Sequence, residues 1–168
     1  SIKDLIDVDL REYTINNQLD YILKDIYLKD YDAVFFSTYI WNVYDIVKIC
    51  ENLKKVKPNL IIGLGGPEVS YDAEKFLSEN PEFTGVMVGE GEETFQELSG
   101  YYVKKNPEKL ENITGICYRD GEKIIHNGWR QIMDLSSIPF IYKDLSEFKN
   151  RIIYYESSRG CPFSCSYC

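Results

Sequence analysis

The fold is decided by residues 60–68, which read Leu60-Ile61-Ile62-Gly63-Leu64-Gly65-Gly66-Pro67-Glu68. A short apolar run without polar alternation is typical of a parallel strand that is covered on both faces. The glycines and the proline that follow end this strand in a loop whose residues have small side chains or none. A buried strand that runs into such a loop, with a helical pattern after it, predicts an α/β protein.

The same order of elements recurs on both sides of this stretch. Strands are predicted at residues 6–11, 33–37, 60–64 and 85–89. Helices are predicted after the N-cap residues Asn17, Asn42 and Ser70, and a last one after the loop Glu90-Gly91-Glu92. Because parallel strands are joined by crossovers that helices supply, the pattern predicts a parallel sheet with helices on both faces.

The pattern of the chain changes after this α/β region, which we assign to residues 1–106. Residues 107–133 are predicted to form a β-hairpin extension, since two short apolar runs flank Asp120-Gly121. Residues 134–150 show neither the helical nor the strand periodicity of apolar residues and are interpreted as a linker. Residues 151–168 are expected to form the first strand and the cysteine loop of a further domain, and we expect the sequence to be cut off there.

Composition and charge exclude several classes of partner. The chain has 168 residues, 19 of them basic and 27 acidic, with a net charge of -8. This balance argues against a nucleic-acid partner and against an anionic membrane surface. No apolar run approaches the roughly 20 residues of a membrane-spanning helix, and the N-terminus lacks the layout of a signal peptide. We therefore expect a cytoplasmic protein whose partners are small molecules.

Three of the five cysteines lie close together at Cys161, Cys165 and Cys168. Three thiolates on one short loop can converge on a [4Fe–4S] cluster and leave one iron open for a further ligand. A structural zinc site or a disulfide-prone tail is the alternative. Zinc would require a fourth ligand nearby, and the single histidine, His126, is expected on the hairpin surface.

The cysteine stretch Cys161-x-x-x-Cys165-x-Tyr167-Cys168, entered through Ser158-Arg159-Gly160, resembles the signature of radical S-adenosylmethionine (SAM) enzymes. The resemblance implies that the three cysteines hold a [4Fe–4S] cluster whose open iron binds S-adenosylmethionine. In that family the cluster cleaves this cofactor to a radical that abstracts hydrogen from the substrate. The barrel that would surround the cluster is not in this sequence, so no catalytic residue is assigned here.

The loops that follow the predicted strands are the candidate ligand site, because open α/β sheets bind ligands at the carboxyl ends of their strands. Glycines at Gly65-Gly66 would let a large planar or phosphate-bearing ligand approach the backbone. The acidic loop Glu90-Gly91-Glu92 is a poor phosphate site, since its carboxylates already occupy the positive end of a helix dipole. A dinucleotide fingerprint is not present either, because Glu68 stands in place of its third glycine.

With the cysteine motif downstream, these loops resemble the cobalamin-binding domain found ahead of many radical SAM enzymes, including anaerobic magnesium-protoporphyrin monomethyl ester cyclases and methyltransferases. The resemblance implies a flavodoxin- or Rossmann-like fold of the cobalamin-binding type, here without its first strand. It also implies cobalamin as cofactor. The residues it assigns to cobalamin are Ser37, Thr38, Tyr39, Gly65, Gly66, Pro67, Glu68, Gly89, Glu90, Gly91 and Glu92.

The chain departs from the family pattern at two places. The Asp-x-His-x-x-Gly motif, whose histidine coordinates cobalt, is absent, and Tyr39 stands where the family typically has leucine. Cobalamin is therefore expected to bind without a histidine ligand. A sheet without its first strand is expected to be rearranged or to form a homodimer through an unpaired or swapped strand.

Three functions remain open at this point. The leading hypothesis is the cobalamin-binding domain of a radical SAM enzyme that performs methyl transfer or oxidative cyclisation on an unknown small molecule; this portion alone is expected to be inactive. The alternative is a cofactor-free scaffold or substrate-recognition module of such an enzyme, favoured by the missing histidine motif and Tyr39. A nucleotide-binding domain with an unrelated metal tail is disfavoured by the acidic loop.

Overall fold

Two compact units make up the chain, residues 1–130 and residues 131–168. The computed structural model describes residues 6–102, 109–140, 142, 144–150, 152–161 and 163–166. Within these ranges all strands belong to the first unit, whereas the second contains only the 3₁₀ helices Leu135–Ser137 and Ser146–Phe148. None of the described helices is both long and apolar enough to cross a membrane.

Helices and strands of the first unit alternate as predicted. The helices are α1 (Leu19–Tyr27), α2 (Val43–Val56), α3 (Pro67–Ser70), α4 (Ala73–Glu79) and α5 (Glu92–Tyr102). The strands are β1 (Ala33–Ser37), β2 (Ile61–Gly65), β3 (Gly85–Met87), β4 (Ile116–Asp120) and β5 (Lys123–His126). A 3₁₀ helix at Leu110–Asn112 precedes β4. The predicted α/β class is confirmed.

The five strands form one sheet in the order β1-β2-β3-β4-β5. Strands β1, β2 and β3 are parallel, whereas β4 and β5 are antiparallel to their neighbours. The sheet is therefore mixed, and the predicted hairpin extends it directly instead of forming a separate element. Among the described strands, β1 pairs only with β2, which leaves its other edge without a strand partner.

Each face of the sheet carries its own apolar core, because successive side chains of a strand point to opposite faces. On one face, α1, α2 and α4 cover a core that includes Ile62, Leu64 and Val86. On the other, α5 packs through Leu98 against a smaller cluster that includes Ile116. Coverage of both faces explains why β2 has a continuous apolar sequence.

The strand predicted at Ile6–Arg11 is wrong, because residues 6–14 lie outside any helix or strand. Val8 and Leu10, the apolar side chains of the alternating pattern, are 63% and 83% exposed. Side-chain hydrogen bonds hold this segment instead, for example from the Tyr31 hydroxyl to the Asp9 carboxylate at 2.6 Å. Residues 152–155, for which a strand was also expected, likewise have no strand partner.

Candidate functional site

The loops after the three parallel strands meet at one edge of the sheet, as the sequence predicts. The register places Ser37, the last residue of β1, beside Gly65, the last residue of β2. Gly65 in turn pairs with Met87 at the end of β3. The Thr38 N–H donates to the carbonyl oxygen of Gly65 at 2.7 Å, which joins the first two loops directly. We call this side of the sheet the carboxyl edge.

The loop after β1 is fixed by Asn42, which the sequence identified only as a helix cap. The Asn42 Oδ1 accepts the Tyr39 N–H at 2.7 Å, and its Nδ2 donates to the Ser37 carbonyl at 2.9 Å. Thr38 is fully buried, whereas Ser37 is exposed. Of the residues predicted in this loop, Ser37 therefore faces solvent at the edge, and Thr38 contributes chiefly to the structure of the loop.

Gly66 has a backbone conformation that only glycine adopts readily, with φ 114° and ψ 167°. A Cβ at this position would overlap the Thr38 carbonyl oxygen and lie 3.0 Å from the Thr38 nitrogen. The space beside Gly66 is thus occupied by the neighbouring loop of the same chain. Pro67 and Glu68, which begin α3, are exposed at the same edge.

Ser70 joins the second and third loops. Its hydroxyl donates to the Gly66 carbonyl at 2.8 Å and accepts the Gly89 N–H at 3.4 Å. Ser70 is only 4% exposed, so it acts as a buried link between the two glycine loops. Ser70, predicted as the N-cap of the next helix, instead ends α3, and Asp72 precedes α4; the role of Ser70 is this link between the loops.

The acidic loop is held by an arginine that the sequence analysis missed. The Arg130 guanidinium pairs with Glu93 at 3.0 Å and with Glu97 at 2.5 Å, and its Nε donates to the buried Thr94 hydroxyl at 3.2 Å. The Thr94 hydroxyl also lies 3.4 Å from the Glu90 carbonyl oxygen. Two of the acidic residues that follow Glu92 therefore neutralise Arg130.

Two pairs of aromatic rings lie at the carboxyl edge. Tyr39 and Trp41 are stacked with centroids 4.6 Å apart and planes 5° apart. Tyr71 and Trp129 form a tilted pair with centroids 5.5 Å apart. Both tryptophans of the chain are in these pairs, and Trp41 and Trp129 are 64% and 50% exposed. Aromatic side chains commonly line ligand sites.

These features fit a large, flat and uncharged ligand better than a phosphate. The edge combines exposed aromatic rings with glycines at Gly89 and Gly91, and a Cβ at Gly91 would meet no atom within 4 Å. The Arg130 charge is already paired with carboxylates. A large planar ring system has the chemistry that such a surface accepts.

Two glycines make room for the chain itself, Gly63 within β2 and Gly66 at the carboxyl edge. The ring of Phe35 lies over Gly63, where a Cβ would overlap it, and packs edge-on against Phe95 with centroids 5.6 Å apart. Together with the Thr38 backbone over Gly66, it fills the room that these glycines leave. Glycines at these positions therefore serve the close packing of the chain itself.

Cys161 and Cys165 are exposed free thiols in the second unit. Arg159, two residues before the first of them, forms an ion pair with Glu156 at 2.8 Å. Cys168 lies outside the described residues, and no group of three His, Cys, Asp or Glu within those residues is placed to hold a metal ion. The three-cysteine cluster therefore stays a prediction.

The remaining cysteines and an open cleft do not belong to this site. Cys50 and Cys117 are fully buried, and burial raises the pKa of both thiols, that of Cys117 to about 11. A cleft of about 670 Å³ lies at the opposite edge of the sheet and is lined partly by Lys54 and Glu82. The Lys54 ammonium donates to the Leu60 carbonyl oxygen at 2.6 Å, so it is already hydrogen-bonded to the backbone that follows α2.

Comparison with known proteins agrees with this geometry. The family model of the B12 binding domain matches residues 3–99. The chain is 30% identical to the uncharacterized methyltransferase PH0819 of Pyrococcus horikoshii, over 88% of this chain and 33% of that protein. It is 27% identical to the cobalamin-dependent radical SAM methyltransferase TokK of Streptomyces tokunonensis, over 82% of this chain and 22% of that protein.

A cyclase is also similar. The anaerobic magnesium-protoporphyrin IX monomethyl ester cyclase of Synechocystis is 30% identical over 69% of this chain and 24% of that protein. The chain thus spans a third or less of the length of these relatives. The family match covers more than half of the chain and includes all three loops of the carboxyl edge. This chain therefore belongs to the B12-binding domain family.

Proposed function

We propose that this chain binds cobalamin at the carboxyl edge of β1, β2 and β3. The residues that would hold it are those of the three loops, at 37–39, 65–68 and 89–92. The observation that carries the proposal is that the loops predicted from sequence converge at one edge, within the residues matched by the family. The exposed aromatic rings beside these loops support the same assignment.

In this proposal the residues of the chain position the cofactor, and the cofactor supplies the reactive chemistry. When bound, cobalamin supplies organometallic and radical chemistry that protein side chains lack. The Ser37 hydroxyl and the backbone of Gly89 and Gly91 are accessible for contacts with the ring periphery. Asn42 and Ser70 keep the three loops in place.

We further propose that the chain serves a radical SAM enzyme that carries out methyl transfer or oxidative cyclisation on a small molecule. The relatives support this, since they include a methyltransferase of that class and a cyclase. Cys161, Cys165 and Cys168 would hold the [4Fe–4S] cluster that binds S-adenosylmethionine. The enzyme would work in the cytoplasm, without nucleic acid or membrane partners, and the unpaired edge of β1 would form a homodimer.

Retention of cobalamin tests the binding proposal. The full-length protein, purified without oxygen, is mixed with hydroxocobalamin and passed through a gel-filtration column. We expect the corrin absorption to elute with the protein and to be shifted from that of the free cofactor. Free passage of the cofactor, with the protein folded, would overturn the proposal.

A cofactor-free scaffold is the second candidate, and one observation favours it. The Thr38 backbone over Gly66 fills a space that a ligand could otherwise use. A scaffold would elute without corrin absorption, yet the protein containing it would still transform its substrate. The gel-filtration experiment therefore separates the two candidates.

A further inference from the structure

We infer that Trp129, paired with Tyr71, is a contact surface for the corrin ring, and this inference rests on the proposed cobalamin binding. Neither residue belongs to the three loops. Trp129 follows β5, which ends at the carboxyl edge because β4 is antiparallel to β3 and β5 is antiparallel to β4. The Val88 N–H donates to the Gly115 carbonyl oxygen at 2.8 Å, and the Gly115 N–H donates to the Gly128 carbonyl oxygen at 3.1 Å. These two hydrogen bonds align the end of the hairpin with the end of β3.

Trp129 lies directly on one of the glycine loops. A Cβ at Gly89 would be 3.2 Å from ring carbon Cε3 of Trp129, so the indole ring packs against one side of this exposed residue. Gly89 has φ 79°, a conformation that favours glycine. The Gly89 N–H in turn points to Ser70 Oγ, next to Tyr71 in sequence. Trp129, Tyr71 and the Gly89 loop therefore form one continuous surface.

Both neighbours of Trp129 in sequence are held by hydrogen bonds. The Gly128 N–H donates to His126 Nδ1 at 2.9 Å, and Arg130 makes four hydrogen bonds, to Glu93, Thr94, Glu97 and Thr114. The Arg130 side chain is only 15% exposed, whereas Trp129 itself is half-exposed. A rigid backbone that displays an accessible aromatic ring is a preorganised contact, since little ordering is needed on binding.

A flat, largely apolar ring system is the occupant that this surface favours. Tyr71 is 80% exposed, so the pair presents a large apolar area beside the loops of the cobalamin proposal. The nearest cation, Arg130, is engaged by two carboxylates and does not mark a phosphate site. Aromatic rings gain favourable contact energy by packing against other flat, apolar surfaces. The corrin ring supplies such a surface.

The test is an absorbance titration of the full-length protein with hydroxocobalamin under anaerobic conditions. Trp129→Ala and Tyr71→Ala are each expected to weaken binding about tenfold, the usual size of one aromatic contact. Trp129→Phe, which keeps a ring, is expected to bind within about threefold of wild type. Tyr21→Ala is the matched control, since Tyr21 is 57% exposed on α1, outside the site. It should bind as wild type does.

The unfolding midpoint without cobalamin shows whether each variant is folded. A folded Trp129→Ala protein that binds within about threefold of wild type would overturn the inference. If that variant does not fold, Tyr71→Ala decides by the same criterion, because a side chain so exposed contributes little to folding. Failure of the wild-type protein to bind would overturn the cobalamin proposal and this inference together. Equal binding by wild type and variants would overturn the inference alone.

Discussion

Replacing Gly66 by alanine tests whether the second loop depends on a bare backbone. The conformation of Gly66, φ 114° and ψ 167°, costs an alanine about 1–3 kcal/mol. The new Cβ would also overlap the Thr38 carbonyl oxygen, so the two loops must separate. This would break the 2.7 Å hydrogen bond between Thr38 and Gly65, which is worth about 1 kcal/mol. We expect a total loss of about 2–4 kcal/mol of unfolding free energy.

Thermal unfolding followed by circular dichroism measures this loss. For a chain of 168 residues, it corresponds to a drop in midpoint of roughly 5–15 °C. The matched control is Gly65→Ala, whose Cβ would lie 3.4 Å from the methyl carbon of Met87, the end of a flexible side chain. We expect that control to stay within about 3 °C of wild type. Midpoints of the two variants within about 2 °C of each other would refute the reasoning.

The outcome also decides how glycine variants are used in binding experiments. If Gly66→Ala loosens the loop, its failure to retain cobalamin would not distinguish a lost contact from a lost loop. Gly65→Ala keeps the loop and is the better probe of the space that a ligand needs. Ser70→Ala, which removes the link between the second and third loops, is the complementary variant.

Three further predictions concern other parts of the chain. Arg130→Met is expected to lower the unfolding free energy by about 2 kcal/mol in urea, since it removes charge-assisted hydrogen bonds; a loss below about 0.5 kcal/mol would contradict the role given to Arg130. Burial raises the pKa of the Cys117 thiol from 9.0 to about 11. The stability that the protonated thiol contributes to the fold is therefore fully present below pH 9 and is lost as the pH rises toward 11. Urea unfolding between these pH values should show the decline, and Cys117→Ala should reduce its slope, with the part due to Cys50 remaining because burial raises that thiol's pKa too; an unchanged slope would speak against this origin. Iron–sulfur reconstitution of the full-length protein should give the broad visible absorption of a [4Fe–4S] cluster, and normal assembly in the triple alanine variant would disprove the assignment to Cys161, Cys165 and Cys168.

The alternation of strands and helices could be predicted because it is written in local patterns. Strand β1 was predicted at its observed bounds, Ala33–Ser37, since a continuous apolar run identifies a strand covered on both faces. Helix α2 begins directly after Asn42, as predicted. The loops at the strand ends followed from the same patterns, because parallel strands place their carboxyl ends at one edge.

Local patterns failed where a strand needs a partner that the pattern does not specify. Residues 6–11 alternate as a strand should, yet they pair with no strand of the described sheet, and Leu10 is 83% exposed. The hairpin was predicted, but its union with β3 was not, because pairing depends on residues far apart in the chain. Met87 on β3 pairs with Ile116 on β4, although all of α5 lies between them in the sequence.

By itself the sequence determined the fold class, the loops of the site and the resemblance to cobalamin-binding domains, since each depends on residues that are close in the chain. Only the tertiary structure showed that Arg130 binds Glu93 and Glu97, which precede it in the sequence by 37 and 33 positions. Only the structure showed, too, that Trp129 packs against Gly89. It also showed that Gly66 makes room for the Thr38 backbone. Contacts of this kind leave no periodic trace, because their spacing is set by how the hairpin folds back onto the sheet.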